Sequence, residues 1–168
     1  PLEKSKTESR VSLVPNVVAS LVESGHEISL VDKAGEKAGY PNDSYVTAGA
    51  SIISPKDIAT SDLVTYISKP QIFDQFREHH IGLSVFGTRS NPQIMSKINK
   101  SKITALDMEL LPRISRAQGM DALSSQASIA GYKAAISVAN ELGIYLPMMM
   151  TAAGTVRPAK ILVLGAGV

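Results

Sequence analysis

Short apolar runs alternate with amphipathic stretches along most of this chain. Arg10–Val14 reads as an extended segment, and Pro15 opens a helix to Glu23, since proline's missing N–H costs nothing in a first helical turn. Val17, Val18, Leu21 and Val22 mark that helix's apolar face, and Gly25 stands where a helix ends. His26–Val31 predicts a strand, Ala34–Tyr40 a loop, and Asn42 or Asp43 the cap of a short helix to Ala48. Ser51–Ile53 and Asp62–Ile67 predict strands separated by a helical turn at Pro55–Ala59, with Pro70 ending the second. Gln71–His80 is amphipathic, with Ile72, Phe73 and Phe76 on one side. Ile81–Phe86 predicts a strand, Gly87–Asn91 a loop, Pro92–Lys100 a helix by its Ile94, Met95, Ile98 spacing, and Ile103–Met108 a further strand. Strands separated by helical stretches define an α/β fold: a parallel sheet with flanking helices.

The final run, Ile161-Leu-Val-Leu-Gly-Ala-Gly-Val168, is apolar throughout and broken by two glycines. It predicts a strand buried on both faces, as in a parallel sheet. Gly165 and Gly167 would begin a G-x-G-x-x-G turn, whose glycines let backbone approach a pyrophosphate at a helix N-terminus. A plain strand-ending turn accounts for two glycines equally well. The expected organisation is a Rossmann-like domain over residues 1–140, then a linker helix and the truncated first strand of a second, NAD-binding Rossmann domain over 141–168. On this reading the sequence is a fragment.

Composition narrows the chemistry. The 168 residues are 44% hydrophobic and 19% charged, which argues for a packed core. With no cysteine there is no thiol nucleophile, disulfide framework or thiolate metal site. A net charge of +2, scattered basic residues and few aromatics argue against nucleic-acid binding. No apolar run approaches the ~20 residues of a membrane-spanning helix. Adjacent His79 and His80 point apart on a helix, so no metal site is expected. Asp32 mimics the ribose-binding acid of a dinucleotide fold, but no glycine turn precedes it, and a structural role is expected. Met148–Met150 are expected to fill a packing gap.

Residues 107–140 carry the most information. After Gly119 a long proline-free stretch predicts a helix, with Met120, Leu123, Ala127, Ala130 and Ala134 on one stripe suited to close packing. Asp121, Ser124, Ser125 and Ser128 form a polar face near its start. Arg113, Arg116 and Gln118 lie in the segment leading into it. Two cations, an amide, an acid and hydroxyls at the positive end of a helix can grip an anionic, hydroxyl-rich ligand. The same residues serve equally as solvated loop cations and an ordinary helix cap.

The stretch Met108-Glu-Leu-Leu-Pro-Arg-Ile-Ser-Arg-Ala-Gln-Gly-Met-Asp-Ala-Leu-Ser-Ser-Gln-Ala-Ser-Ile-Ala-Gly-Tyr-Lys-Ala closely resembles the NAD(H)-binding component of proton-translocating nicotinamide nucleotide transhydrogenases. Pro147-Met-Met-Met-Thr-Ala-Ala-Gly-Thr-Val-Arg-Pro-Ala-Lys, Arg10-Val-Ser-Leu-Val-Pro, Ala38-Gly-Tyr and Ala48-Gly-Ala resemble it too. The resemblance implies hydride transfer between NAD(H) on this component and NADP(H) on a partner domain, with a membrane domain coupling transfer to proton movement. It implies that Arg113 binds the nucleotide's phosphate or nicotinamide side, and that Asp121 and Ser124 hold the carboxamide or its ribose. Gln118 would align the two nucleotides, and Gly165 and Gly167 would start the phosphate turn. It further implies a homodimer and a soluble domain of an enzyme in a bacterial cytoplasmic or mitochondrial inner membrane.

Alanine dehydrogenases share this architecture, and their proton transfer uses a lysine and a histidine near segments matching 66–70 and 84–90. Here those read Tyr66-Ile-Ser-Lys-Pro70 and Ser84-Val-Phe-Gly-Thr-Arg-Ser90, so only Lys69 is present. Lacking the pair, the chain fits direct transfer between nucleotides better than amino-acid oxidation. A third reading, a non-catalytic partner domain, would use the Ala/Ser-rich helix for dimer contacts.

Overall fold

A computed structural model of the chain describes residues 7–67, 76 and 78–167. They fall into two compact units that divide between Pro112 and Arg113, upstream of the expected boundary after residue 140.

The first unit is built from parallel strands and short helices. α1 (Pro15–Glu23) has proline in its first turn and buries Val18, and Gly25 follows it at φ +90°, a conformation that favours glycine. β1 (Ser29–Val31) pairs in parallel with β2 (Ser51–Ile53), connected through α2 (Asn42–Thr47). β3 (Leu63–Thr65), β4 (Ile81–Ser84) and β5 (Thr104–Asp107) form a separate parallel sheet, with α3 (Pro92–Ser101) crossing from β4 to β5. Two ladders therefore stand where one sheet was expected: β2 and β3 are not hydrogen-bonded neighbours. The intervening Pro55–Thr60 is a 3₁₀ helix closed by a capping box between Ser54 and Asp57.

Asn42 is not the helix cap that its sequence position predicts. Its amide donates to Asp32 at 2.7 Å and its carbonyl accepts from Lys33 N–H, which clips the end of β1 to α2; Pro41 takes the cap position. Asp32 thus has the structural role expected of it.

Two apolar clusters hold this unit together. Val18, Leu30, Val31, Tyr45, Ile58, Val64 and Tyr66 form one, and Phe86, Ile94, Ile98 and Ile103 the other. Phe76 packs against both. Tyr45 is fully buried, and its hydroxyl donates to the Leu13 carbonyl at 2.9 Å, so the polar end of the ring is satisfied. Gly35 gives that ring its space: a Cβ there would come within 2.5 Å of Tyr45 Cε2 and 2.7 Å of the Tyr40 carbonyl. In α3, Ile94 and Ile98 are buried while Met95 stays exposed. Apart from Phe76 and Glu78–His80, the amphipathic stretch from Gln71 lies outside the described residues, as do Lys69 and Pro70.

The second unit contains a 3₁₀ helix (Ser115–Met120), α4 (Ala122–Glu141) and an antiparallel hairpin of β6 (Met149–Thr151) and β7 (Gly154–Val156). The hairpin replaces the expected linker helix. Thr151 Oγ1 accepts from Ala153 N–H and donates to the Gly154 carbonyl, closing the two-residue turn. Met148–Met150 therefore edge a ribbon instead of filling a gap, and Met150 is 79% exposed. No residue of α4 is buried among the described residues, so the close packing predicted for its small-residue stripe is not seen there. Residues 161–167 do not form the predicted strand. An isolated apolar run needs a neighbour to take its backbone hydrogen bonds, and no strand among the described residues pairs with it.

Candidate functional site

The candidate site begins at the N-terminus of α4. Asp121 is its N-cap: Oδ1 accepts from Ser124 N–H at 2.9 Å, and Oδ2 accepts from Ser124 Oγ at 2.6 Å. Both bonds belong to an ordinary helix cap, and a carboxylate there also meets the positive end of the helix dipole. The Ser124 hydroxyl and N–H hold the Asp121 carboxyl below the usual carboxylate value, and the nearby Arg113 guanidinium adds to this.

What remains available is chemically asymmetric. Ser124 has spent its only hydroxyl proton on Asp121, so both side chains now offer acceptor lone pairs. Arg113 contributes donors and a fixed positive charge. Gln118 stands one turn earlier in the 3₁₀ helix, where its carbonyl accepts from Asp121 N–H. Its exposed side chain, a donor and acceptor together, forms no hydrogen bond among the described residues. The cap joins Asp121 and Ser124, the Arg113 charge is felt at Asp121, and Gln118 is tied to Asp121 through its backbone carbonyl alone. Arg116 is exposed, with no hydrogen bond or ion pair among the described residues.

Gly165 and Gly167 are joined to this cluster by no hydrogen bond among the described residues. Gly165 adopts φ +95°, which favours glycine, whereas at Gly167 neither backbone nor neighbours require it: a Cβ there would meet nothing within 4 Å.

One polar centre has no counterpart in the sequence analysis. Asp107, at the end of β5, accepts from Phe86 N–H and Glu109 N–H on Oδ1, each at 3.0 Å. Oδ2 accepts from Thr88 N–H at 3.0 Å and Thr88 Oγ1 at 2.6 Å. Its one sequence signal is an acid at the C-terminal end of a parallel strand, where α/β sheets place functional groups. Burial alone would raise the Asp107 pKa, but the bonds from Thr88, Glu109 and Phe86 outweigh it and hold the pKa below the usual value. A folded-state pKa below the unfolded one stabilises the fold above the unfolded value, and that gain is lost as pH falls through the folded value. The unfolding midpoint should therefore drop on acidification below about pH 4, and Asp107→Asn should flatten that part of the curve in a urea-by-pH titration.

Known proteins share the sequence pattern and the fold of this chain. The family described as alanine dehydrogenase/PNT, N-terminal domain, matches residues 1–130. The chain belongs to that family. Over its whole length this member is 39% identical to the NAD(P) transhydrogenase subunit alpha of Haemophilus influenzae, covering 33% of that protein. It is 41% identical to an NAD(P) transhydrogenase subunit alpha chain of Rhodospirillum rubrum, covering 46% of it. A crystal structure of transhydrogenase from Sinorhizobium meliloti superposes with a TM-score of 0.89 at 36% identity, over 95% of this chain and 48% of that one. An L-alanine dehydrogenase structure gives 0.62 at 28% identity, over 65% of this chain and 31% of that one. This alanine dehydrogenase/PNT domain thus spans a third to about half the length of the transhydrogenases it matches, and the Rossmann-like α/β fold is shared with both groups.

Proposed function

We propose that this chain supplies the NAD(H) side of a transhydrogenase, in which hydride passes directly between NAD(H) held here and NADP(H) held on a partner domain. The observation that carries the reading is the Asp121–Ser124 acceptor pair beside Arg113, in a chain similar along its full length to transhydrogenase alpha subunits. The donor and acceptor set fits a nicotinamide. A carboxamide presents two N–H donors and one carbonyl oxygen, and the site answers with carboxylate and hydroxyl lone pairs and a guanidinium. Bound NAD(H) supplies the hydride. Asp121 and Ser124 orient the carboxamide, Arg113 holds its carbonyl or a neighbouring phosphate, and Gln118 reaches across to align the second nucleotide. Gly165 and Gly167 begin the turn that receives the pyrophosphate, a role that accounts for the glycine at 167.

Such chemistry asks little of the protein beyond placement. Hydride transfer between two nicotinamides needs no acid or base at the ring, only near-attack geometry with water excluded. The remaining components of the proposal are a homodimer of this component, an NADP(H)-binding domain, and a membrane domain that couples transfer to proton translocation. No helix among the described residues is long and apolar enough to cross a membrane. In this reading anchoring falls to the membrane domain, in a bacterial cytoplasmic or mitochondrial inner membrane.

Gln118→Asn should slow NADH-to-NADP⁺ hydride transfer in the intact enzyme by about tenfold while leaving NADH affinity nearly unchanged, because one methylene is lost from an aligning group. Stopped-flow transfer rates with a parallel NADH titration check this, and equal losses in both would remove the aligning role. The alternative, an alanine dehydrogenase-like oxidoreductase, draws on 27% identity to the Bacillus subtilis enzyme over 80% of this chain. Alanine-dependent reduction of NAD⁺ by the full-length protein without NADP(H) would favour it.

A further inference from the structure

We propose that the open face of the β3–β4–β5 sheet seats an amphipathic helix that the same polypeptide supplies after Val168. The register puts Val64, Gly82 and Ala105 on one face of the sheet, and Leu63, Ile81, Leu83 and Leu106 on the other. The first face is covered. A Cβ on Gly82 would stand 3.2 Å from Phe86 Cζ and 3.9 Å from Phe76 Cζ. Both rings belong with Ile94 and Ile98 of α3 in one apolar cluster. Phe76 from the β3–β4 connection and α3 from the β4–β5 connection therefore serve the same side.

The second face has no such cover among the described residues. Leu63 and Leu106, on the two outer strands, are 46% and 48% exposed, and Ile81 and Leu83 between them are half-buried. At one corner Ser12 meets Thr65, and no charged side chain stands on this face. Parallel sheets of α/β proteins are covered on both faces, so an uncharged, half-open one is a seat awaiting its element. Three parallel strands span about 10 Å, the width of one helix, and their three or four residues match roughly two helical turns. Chain length points to the occupant. The family matched over residues 1–130 is an N-terminal domain, and two alpha subunits similar to this chain are covered by it to only 33% and 46%. Such relatives carry more polypeptide after this region than within it. A face of leucine and isoleucine suits a permanent cover from the same chain, whereas an exchanging partner would leave more polar groups on it. The helix would present apolar residues at i, i+3, i+4 and i+7.

The test uses the full-length protein grown with photo-leucine, whose diazirine side chain is close to leucine in size, so the face stays intact. After irradiation, mass spectrometry maps the cross-links that start at Leu63, Leu83 and Leu106. The expected adducts join these positions to one peptide beyond Val168, at the mass of a single chain. That peptide should have apolar residues at helical spacing. Leu106→Ser should speed its hydrogen exchange about tenfold or more and leave the β1 and β2 amides near wild type. Adducts at the mass of two chains, adducts to Arg113–Val168 or to an added NADP(H)-binding domain, or capture of solvent alone would each overturn the proposal. So would an exchange rate changed less than about twofold by Leu106→Ser. Should that variant fail to fold, the cross-link map decides. Hydride transfer plays no part in either readout, so its absence would remove the function proposed above and leave this expectation standing.

Discussion

Phe86→Ala should destabilise the unit before Arg113 by roughly 3–5 kcal/mol, the usual cost of emptying a fully buried aromatic site. Phe86 is wholly enclosed, and the second cluster consists of little else: Ile94, Ile98 and Ile103 all pack around it. Collapse into the space would be poor. Gly82 already brings bare backbone up to the ring, where an added Cβ would stand 3.2 Å from Phe86 Cζ. Isoleucines anchored in α3 and before β5 cannot follow a vanished ring without breaking their own strand or helix. Against a total stability of about 5–15 kcal/mol this is a large share. Hydrogen-exchange mass spectrometry of the full-length protein should show the slowest amides of β4 and β5 losing protection about a hundredfold or more. A loss under tenfold would mean that the site refills and that Phe86 is not the centre of its cluster.

Under the proposed function, Asp121→Asn should reduce hydride transfer in the full-length protein by about a hundredfold, the scale of penalty for misplacing a reacting group by an ångström. The substitution is chosen because Asn caps a helix as well as Asp, so the start of α4 should survive. What changes is the polarity presented to a ligand. The carboxylate offers lone pairs only, whereas the amide turns an N–H₂ toward the place where a carboxamide must donate. Ser124 is also released from its 2.6 Å bond to a charged oxygen. Unchanged exchange protection at Leu123–Gln126, together with a collapsed transfer rate, is the expected pair of results; an unchanged rate would reduce Asp121 to a helix cap. An aspartate carboxyl is ionised throughout the neutral range, and Ser124 and Arg113 only lower its pKa further, so the difference between wild type and variant should not vary between pH 6 and 9.

The parallel ladders were legible because apolar runs and helix starters recur in order. Pro15 and Pro92 both occupy first helical turns, and β1 through β5 each fall inside a predicted strand. Strand ends were trimmed because pairing stops where a partner stops, which one strand's own residues do not reveal: β4 ends at Ser84, where its match to β5 ends at Asp107. The Asp121 cap was visible from its spacing to Ser124, since three residues is the reach of a side chain over a first turn. Asp107 was not. Its donors lie 19 and 21 residues away at Thr88 and Phe86, and only the β4–β5 register brings them together. The hairpin at 149–156 was hidden for another reason: its methionines carry little β preference, and the turn is closed by Thr151, a residue more often read as strand. At 161–167 the composition favours a strand, but a strand exists only through its neighbours.

Phe76 has a thermodynamic consequence. It meets Tyr66 edge-on at 5.9 Å within one cluster and also lies against the cluster around Phe86, so the two share a side chain instead of merely adjoining. Melting either one strips that ring of half its surroundings, and the free energy of the other falls with it. In a scanning calorimeter the two halves of residues 7–112 would then absorb heat together, as a single endotherm whose van't Hoff and calorimetric enthalpies agree.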